Sequence, residues 1–214
     1  MQIISKKELL SAEIALGVAI LLQVAVWRTN HHLFGSQYLI ILAEIVLIGI
    51  LALFANMKTV HQRGVYRSAA LAFLGLISVG NISSLVIVLN ELIVGTSDIT
   101  GLQLLSSAVA IFLTNIIVFA LWYWEIDSPG LTQKRWSKSD QDFLFVQQNS
   151  KEKFPNWKPE FFDYLYLSVT NAVNFAPADT KPLTRSAKLL MGLQAIVSVF
   201  TLALVVARSV SILG

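Results

Sequence analysis

Long apolar runs separated by short polar breaks dominate this chain. Leu9–Trp27, Tyr38–Met57, Ser68–Val94 and Leu102–Trp124 each approach or exceed the ~20 residues that cross a bilayer as a helix. Trp27 closes the first run and Trp122-Tyr123-Trp124 the fourth, positions where an aromatic ring keeps one edge wet at a membrane surface. The breaks Arg28–Gln37, Lys58–Arg67 and Gly95–Gly101 are short, which predicts antiparallel neighbours packed as a bundle. A shorter apolar-aromatic segment, Phe161–Phe175, carries Ser168, Thr170, Asn171 and Asn174; a turn bracketed by Pro177 and Pro182 follows, then a last long run, Leu183–Leu213. As a helix the short segment reaches only ~22 Å against ~30 Å of hydrocarbon, so it suits a re-entrant half-helix better than a full span.

The pattern predicts an all-α integral membrane protein with five spans and one re-entrant, or alternatively sixth spanning, half-helix before the last. Three regions follow: a four-helix bundle over 1–124, a soluble connecting loop over 125–160, and the half-helix, turn and final helix over 161–214. No internal repeat is visible, which argues against an inverted-repeat transporter.

Composition agrees. The 214 residues are 55% hydrophobic and 14% charged, too few charges to keep a soluble domain dispersed. A net charge of +3 without a Lys/Arg block speaks against nucleic acid as a partner. The absence of cysteine rules out disulfides, thiolate metal sites and cysteine nucleophiles. Lys6-Lys7 before an apolar run imitates a secretory signal, but Glu13 interrupts the run and no small-x-small site ends it, so the run is read as an uncleaved first span.

Fourteen of the sixteen Lys and Arg fall on one side if Phe161–Phe175 re-enters, leaving Arg28 and Arg208 opposite. Positive-inside bias then predicts a cytoplasmic N-terminus and connector, as for a multi-pass protein of a bacterial inner membrane. In the connector, basic and acidic residues cancel, so it is no polybasic lipid patch. Its Phe143-Leu144-Phe145-Val146 and Trp157 suggest folding onto a membrane surface or a neighbouring subunit, beside the plainer reading of a solvated link.

No soluble catalytic signature is present: there is no phosphate loop, no G-x-G-x-x-G and no H-E-x-x-H. The chain is expected to be no enzyme, with no catalytic residue, metal or cofactor. His31-His32 lack a third ligand, and His61 stands alone. The stronger signal lies within the apolar runs. Glu44, Asn81 and Asn115 sit near the middles of the second, third and fourth, where a polar side chain normally faces the bundle interior and finds a partner. They form either a cation- or proton-handling site or interhelical hydrogen-bonding glue.

Asp179-x-x-Pro182-x-Thr184-x-x-Ala187-Lys188 resembles the D-x-x-P-x-T-x-x-A-R/K run that joins filter to inner helix in potassium channels. Tyr166 and Ser168 also match residue types common in a channel pore helix. With Trp122–Asp127 (WYWEID), the segment resembles more closely a group of uncharacterised bacterial multi-pass membrane proteins, for which it implies kinship of fold and no activity. The channel resemblance covers the last quarter of the chain. It implies a pore loop lined by Thr170, Asn171, Asn174, Phe175 and Asp179, a homo-oligomer, and monovalent cations as partners beside the bilayer. Where the channels carry T-V-G-Y-G, this chain has Asn174-Phe175-Ala176-Pro177-Ala178, without either glycine, so potassium selectivity does not carry over. A weakly selective or gated ion pathway is the expectation. A non-conducting sensor or accessory subunit, and a proton- or cation-coupled small-solute transporter centred on Glu44, are the alternatives.

Overall fold

A computed structural model describes residues 6–29, 42, 46, 60–94, 100–127, 141–150, 152–155, 157–175 and 179–213. The described elements are α1 (Lys6–Thr29), α2 (Val60–Val94), α3 (Gly101–Asp127), β1 (Phe143–Leu144), α4 (Val146–Asn149), α5 (Phe161–Asn174), β2 (Lys181–Pro182) and α6 (Arg185–Leu213). The fold is all-α in substance, and the one strand pairing among the described residues is two residues long.

Among the described residues four helices are long and apolar enough to cross a membrane: Leu10–Arg28, Leu71–Val94, Gly101–Asp127 and Arg185–Ala207. They coincide with the first, third, fourth and last predicted runs. The second run lies outside the described residues except at Leu42 and Val46, which are helical. Two boundaries differ from the sequence reading. Most of the expected break Lys58–Arg67 is helical, because α2 starts at Val60; no proline interrupts it, and each added residue of a formed helix gains a hydrogen bond. At the other junction α3 runs three residues past Trp124 and takes Glu125 and Asp127 out of the expected soluble loop; both are buried.

Local chemistry accounts for the ends. Thr100 and Gln103 cap α3 reciprocally: Thr100 N–H donates to Gln103 Oε1 at 2.9 Å, and Gln103 N–H donates to Thr100 Oγ1 at 3.3 Å. At the start of α5, Asp163 Oδ2 accepts the Glu160 N–H at 2.7 Å. Thr184 Oγ1 accepts the Ala187 N–H at 3.2 Å and caps α6. α5 ends at Phe175 in the left-handed region, φ 55°, ψ 19°.

The chain divides into two compact units. One comprises residues 17–115 and 197–214. Its core joins Val26 on α1, Leu85 and Val88 on α2, Leu104, Ala108 and Ile111 on α3, and Val197 and Leu204 on α6. Hydroxyls on these helices turn back on the preceding turn, as Ser84 does to the Gly80 carbonyl at 2.9 Å and Thr201 to the Val197 carbonyl at 2.7 Å. The other unit, residues 1–16 and 116–196, holds α5, the described connector and most residues of the site.

Candidate functional site

In the second unit, α5 has a buried face that carries most of its polar side chains and an exposed face that is largely apolar. Tyr164, Leu167, Ser168, Thr170 and Asn171 are buried, whereas Phe162, Tyr166, Val169 and Val173 are exposed, Phe162 at 73%. Ser168, Thr170 and Asn171 turn inward together with the apolar Phe161, Leu167 and Ala172, while the outward face is largely apolar, the arrangement expected where the surroundings are lipid or apolar protein.

The inward face is fastened by Gln194 of α6, which is completely buried. Gln194 Nε2 donates to the Ser168 carbonyl at 3.0 Å and to Ser168 Oγ at 2.6 Å. Its Oε1 accepts from the Tyr123 hydroxyl at 2.5 Å and from Asn171 Nδ2 at 2.8 Å. Asn171 Nδ2 also donates to the Met191 carbonyl at 3.0 Å and lies 3.3 Å from the Tyr123 hydroxyl. The Ser168 hydroxyl donates to the Ile116 carbonyl at 2.6 Å. Carbonyl oxygens only accept, so those of Ser168 and Met191 fix which end of each amide faces them. Gln194 spends two donors and two acceptor positions on α3 and α5, and the cluster joins three helices.

Nearer the end of α3 a second centre forms around Asp127. Its Oδ1 accepts the N–H groups of Asp142 (2.5 Å) and Phe143 (3.0 Å), and its Oδ2 accepts the Tyr164 hydroxyl at 2.7 Å. Asp142 continues the chain of contacts. Its carbonyl accepts the Leu183 N–H at 2.8 Å, and its carboxylate accepts the Thr184 hydroxyl in a short hydrogen bond. β1 and β2 then pair antiparallel, Phe143 opposite Pro182 and Leu144 opposite Lys181. Aromatic edges fill the space between. The Tyr123 and Phe143 centroids are 5.2 Å apart, those of Phe145 and Tyr164 5.4 Å, and those of Trp124 and Phe161 5.6 Å. Within the described connector Phe143 and Phe145 are buried against residues of their own chain, whereas Asn149, Ser150 and residues 152–155 are exposed.

The structure distributes the residues singled out in the sequence as follows. Thr170 is buried, its hydroxyl on the Tyr166 and Leu167 carbonyls, and Asn171 belongs to the Gln194 cluster. Asn174, Phe175 and Asp179 are exposed. In the other unit Asn81 is buried on α2, and Asn115 is buried on α3 with its Nδ2 donating to Ser198 Oγ at 3.0 Å. Glu44, and with it the carboxylate of the expected intramembrane site, lies outside the described residues, as do His31-His32 and Ala176–Ala178. Among the described residues no group of three His, Asp or Glu is arranged to hold a metal ion.

Sequence reasoning missed Gln194, Asp127 and Asp142. Gln194 carried a usable signal: it is a polar residue inside the apolar run Leu189–Val206, the same criterion that selects Asn81 and Asn115. Asp127 and Asp142 offered none, because their roles depend on backbone N–H groups and a hydroxyl that come together only in the fold.

No protein-family model matches the chain, and no curated protein or solved structure is similar to it.

Proposed function

We propose that this chain is a multi-pass membrane protein in which Phe161–Thr180 forms a re-entrant half-helix and turn, and that several copies assemble the turn into a weakly selective or gated, cation-preferring pathway. Depth and exposure together support this reading. α5 starts with Phe161 against Trp124, close to the end of α3. Ser168 bonds to Ile116, eleven residues or roughly 16 Å back from Asp127 along α3 and near the middle of that span. By Pro182 the chain is paired with Phe143, whose N–H is held by Asp127. In a bilayer such a path descends about halfway and returns to the side it came from.

Asn174 and Phe175, at the foot of the descent, are exposed. Non-helical backbone at that depth persists only where it lines water or is buried in protein. One chain leaves Asn174 and Phe175 uncovered, so in this reading neighbouring copies or a water-filled path meet them. The C-terminal end of α5, the Asn174 amide and the Asp179 carboxylate all favour a cation there. Thr170 and Asn171 serve in this reading to fasten the half-helix rather than to line a path. Positive-inside bias puts the Asp127 end in the cytoplasm, so the turn opens on the side opposite to that of a potassium channel.

The test is ion flux into liposomes holding the purified protein, comparing potassium, sodium and a large anion. Cation flux with little potassium preference is expected, and potassium flux far above sodium would refute the argument against a carbonyl ladder. A second reading, a non-conducting sensor or accessory subunit, draws on the closed hydrogen bonding of the Gln194 cluster. Silence toward every ion, with Phe175→Ala equally silent, would select it.

A further inference from the structure

α6 presents two opposed faces in the unit that holds α5. Ala187, Met191 and Gln194 are buried. On the other side Arg185, Lys188, Leu189, Gly192, Leu193 and Ile196 are all exposed, and their spacing of three and four residues aligns them in one stripe. The stripe changes character along the helix. Its first turn carries the two cations, with exposed Lys181 four residues before Arg185, and the turns below carry only apolar side chains, led by Leu189 at 69% exposure. No ion pair engages Lys181, Arg185 or Lys188 among the described residues. Neither nearby carboxylate is ion-paired with them among the described residues: Asp142 accepts the Thr184 hydroxyl, and with Asp179 it brings two negative charges near three positive ones.

We propose that this stripe is a binding site for an anionic diacyl phospholipid. The phosphate lies against Arg185 and Lys188 with Lys181 beside it, and an acyl chain runs down Leu189, Leu193 and Ile196. Charge complementarity selects the occupant. α6 is a candidate membrane span from Arg185 to Ala207, so its first turn stands at headgroup height and the next three turns at acyl height. A neutral lipid or a second copy of the same face would add no counter-charge to the three cations. Each Lys or Arg near an anionic membrane surface strengthens binding about fivefold, so three give on the order of a hundredfold. Gly192 adds to the fit, because nothing lies within 4 Å of the position its Cβ would take and a chain can lie close to the helix there. The inference does not depend on whether the turn conducts.

Lipid retention on the purified full chain in mild detergent, measured by native mass spectrometry, tests it with phosphatidylglycerol and phosphatidylcholine as probes. Phosphatidylglycerol should be retained at far lower concentration than phosphatidylcholine, and added salt should narrow the gap. The triple variant Lys181→Gln, Arg185→Gln, Lys188→Gln should lose most of that preference. Lys153→Gln, which removes an exposed cation from the connector, should keep it. Glycerol phosphate at the same concentration should not displace the lipid, because it lacks the acyl contacts. Equal retention of the two lipids, an unchanged triple variant, or displacement by glycerol phosphate would each overturn the proposal. So would efficient disulfide formation between two copies of Leu193→Cys in liposomes containing phosphatidylglycerol, which would assign the stripe to a second chain.

Discussion

Gln194 and Ser168 hold each other twice, through the Ser168 carbonyl and through its hydroxyl, and so pin α5 to α6. Replacing Gln194 by Leu keeps the volume and removes all of its hydrogen bonds. Hydrogen bonds between membrane helices average about 0.6 kcal/mol, and the polar groups left behind on Tyr123 and Asn171 add to the loss. We expect Gln194→Leu to destabilise by about 2–3 kcal/mol, read as a lowered melting temperature of the purified protein. An unchanged melting temperature would mean that the cluster is not a fastening.

Asp127 ties the connector and α5 to the end of α3 through three accepted hydrogen bonds. Asp127→Ala removes all three, whereas Asp127→Asn keeps an acceptor for the backbone N–H groups and a polar partner for Tyr164. The native chain has no cysteine, so a Leu144→Cys, Lys181→Cys pair reports the β1–β2 register directly. Cross-linking should be efficient in the parent, nearly as efficient with Asp127→Asn, and several-fold weaker with Asp127→Ala. Equal cross-linking in all three would show that the pairing stands without the carboxylate.

The outward face of α5 gives a third prediction. A carboxylate placed in hydrocarbon costs about 3 kcal/mol on insertion scales, while the same change on a wetted surface costs a few tenths. Val169→Asp should therefore lower the melting temperature in lipid nanodiscs far more than Val169→Ala. Near-identical melting of the two variants would put that face in water and remove the basis for a re-entrant helix.

Orientation is checked with the exposed connector residue Lys153. A cytoplasmic connector predicts that Lys153→Cys resists membrane-impermeant maleimide on intact cells and reacts after lysis. Reaction from outside would reverse the topology, and the turn would then open on the outer side.

What could be read from the sequence was what depends on hydrophobic length and period. Four of the five expected full spans coincide with helices because burying some twenty apolar residues in lipid leaves a chain little other choice, and α5 ends within a residue of the expected end of the short segment. The second run and Glu44 lie outside the described residues. The connector was less legible. Phe143 and Phe145 could be seen to want burial, but their destination depends on Asp127, which is distant from them in sequence and indistinguishable there from a surface carboxylate. The same holds for the inward turn of Asn171. A polar residue on a short helix faces inward or lines a path according to what its neighbours offer, and here Gln194 and the Met191 carbonyl lie within reach.

The left-handed backbone of Phe175 sets stability against the proposed role of its ring at one position. An L side chain in that region costs on the order of 1 kcal/mol, which glycine would not incur. Phe175→Gly should accordingly raise the melting temperature slightly. A residue kept at a conformational loss is kept for its side chain, so the more stable variant should also be the one that loses whatever the ring does at the foot of the turn, whether that is holding an ion pathway shut or meeting a neighbouring copy. An engineer optimising this protein for stability alone would choose that glycine early, and would remove with it the exposed ring that the proposed pathway depends on.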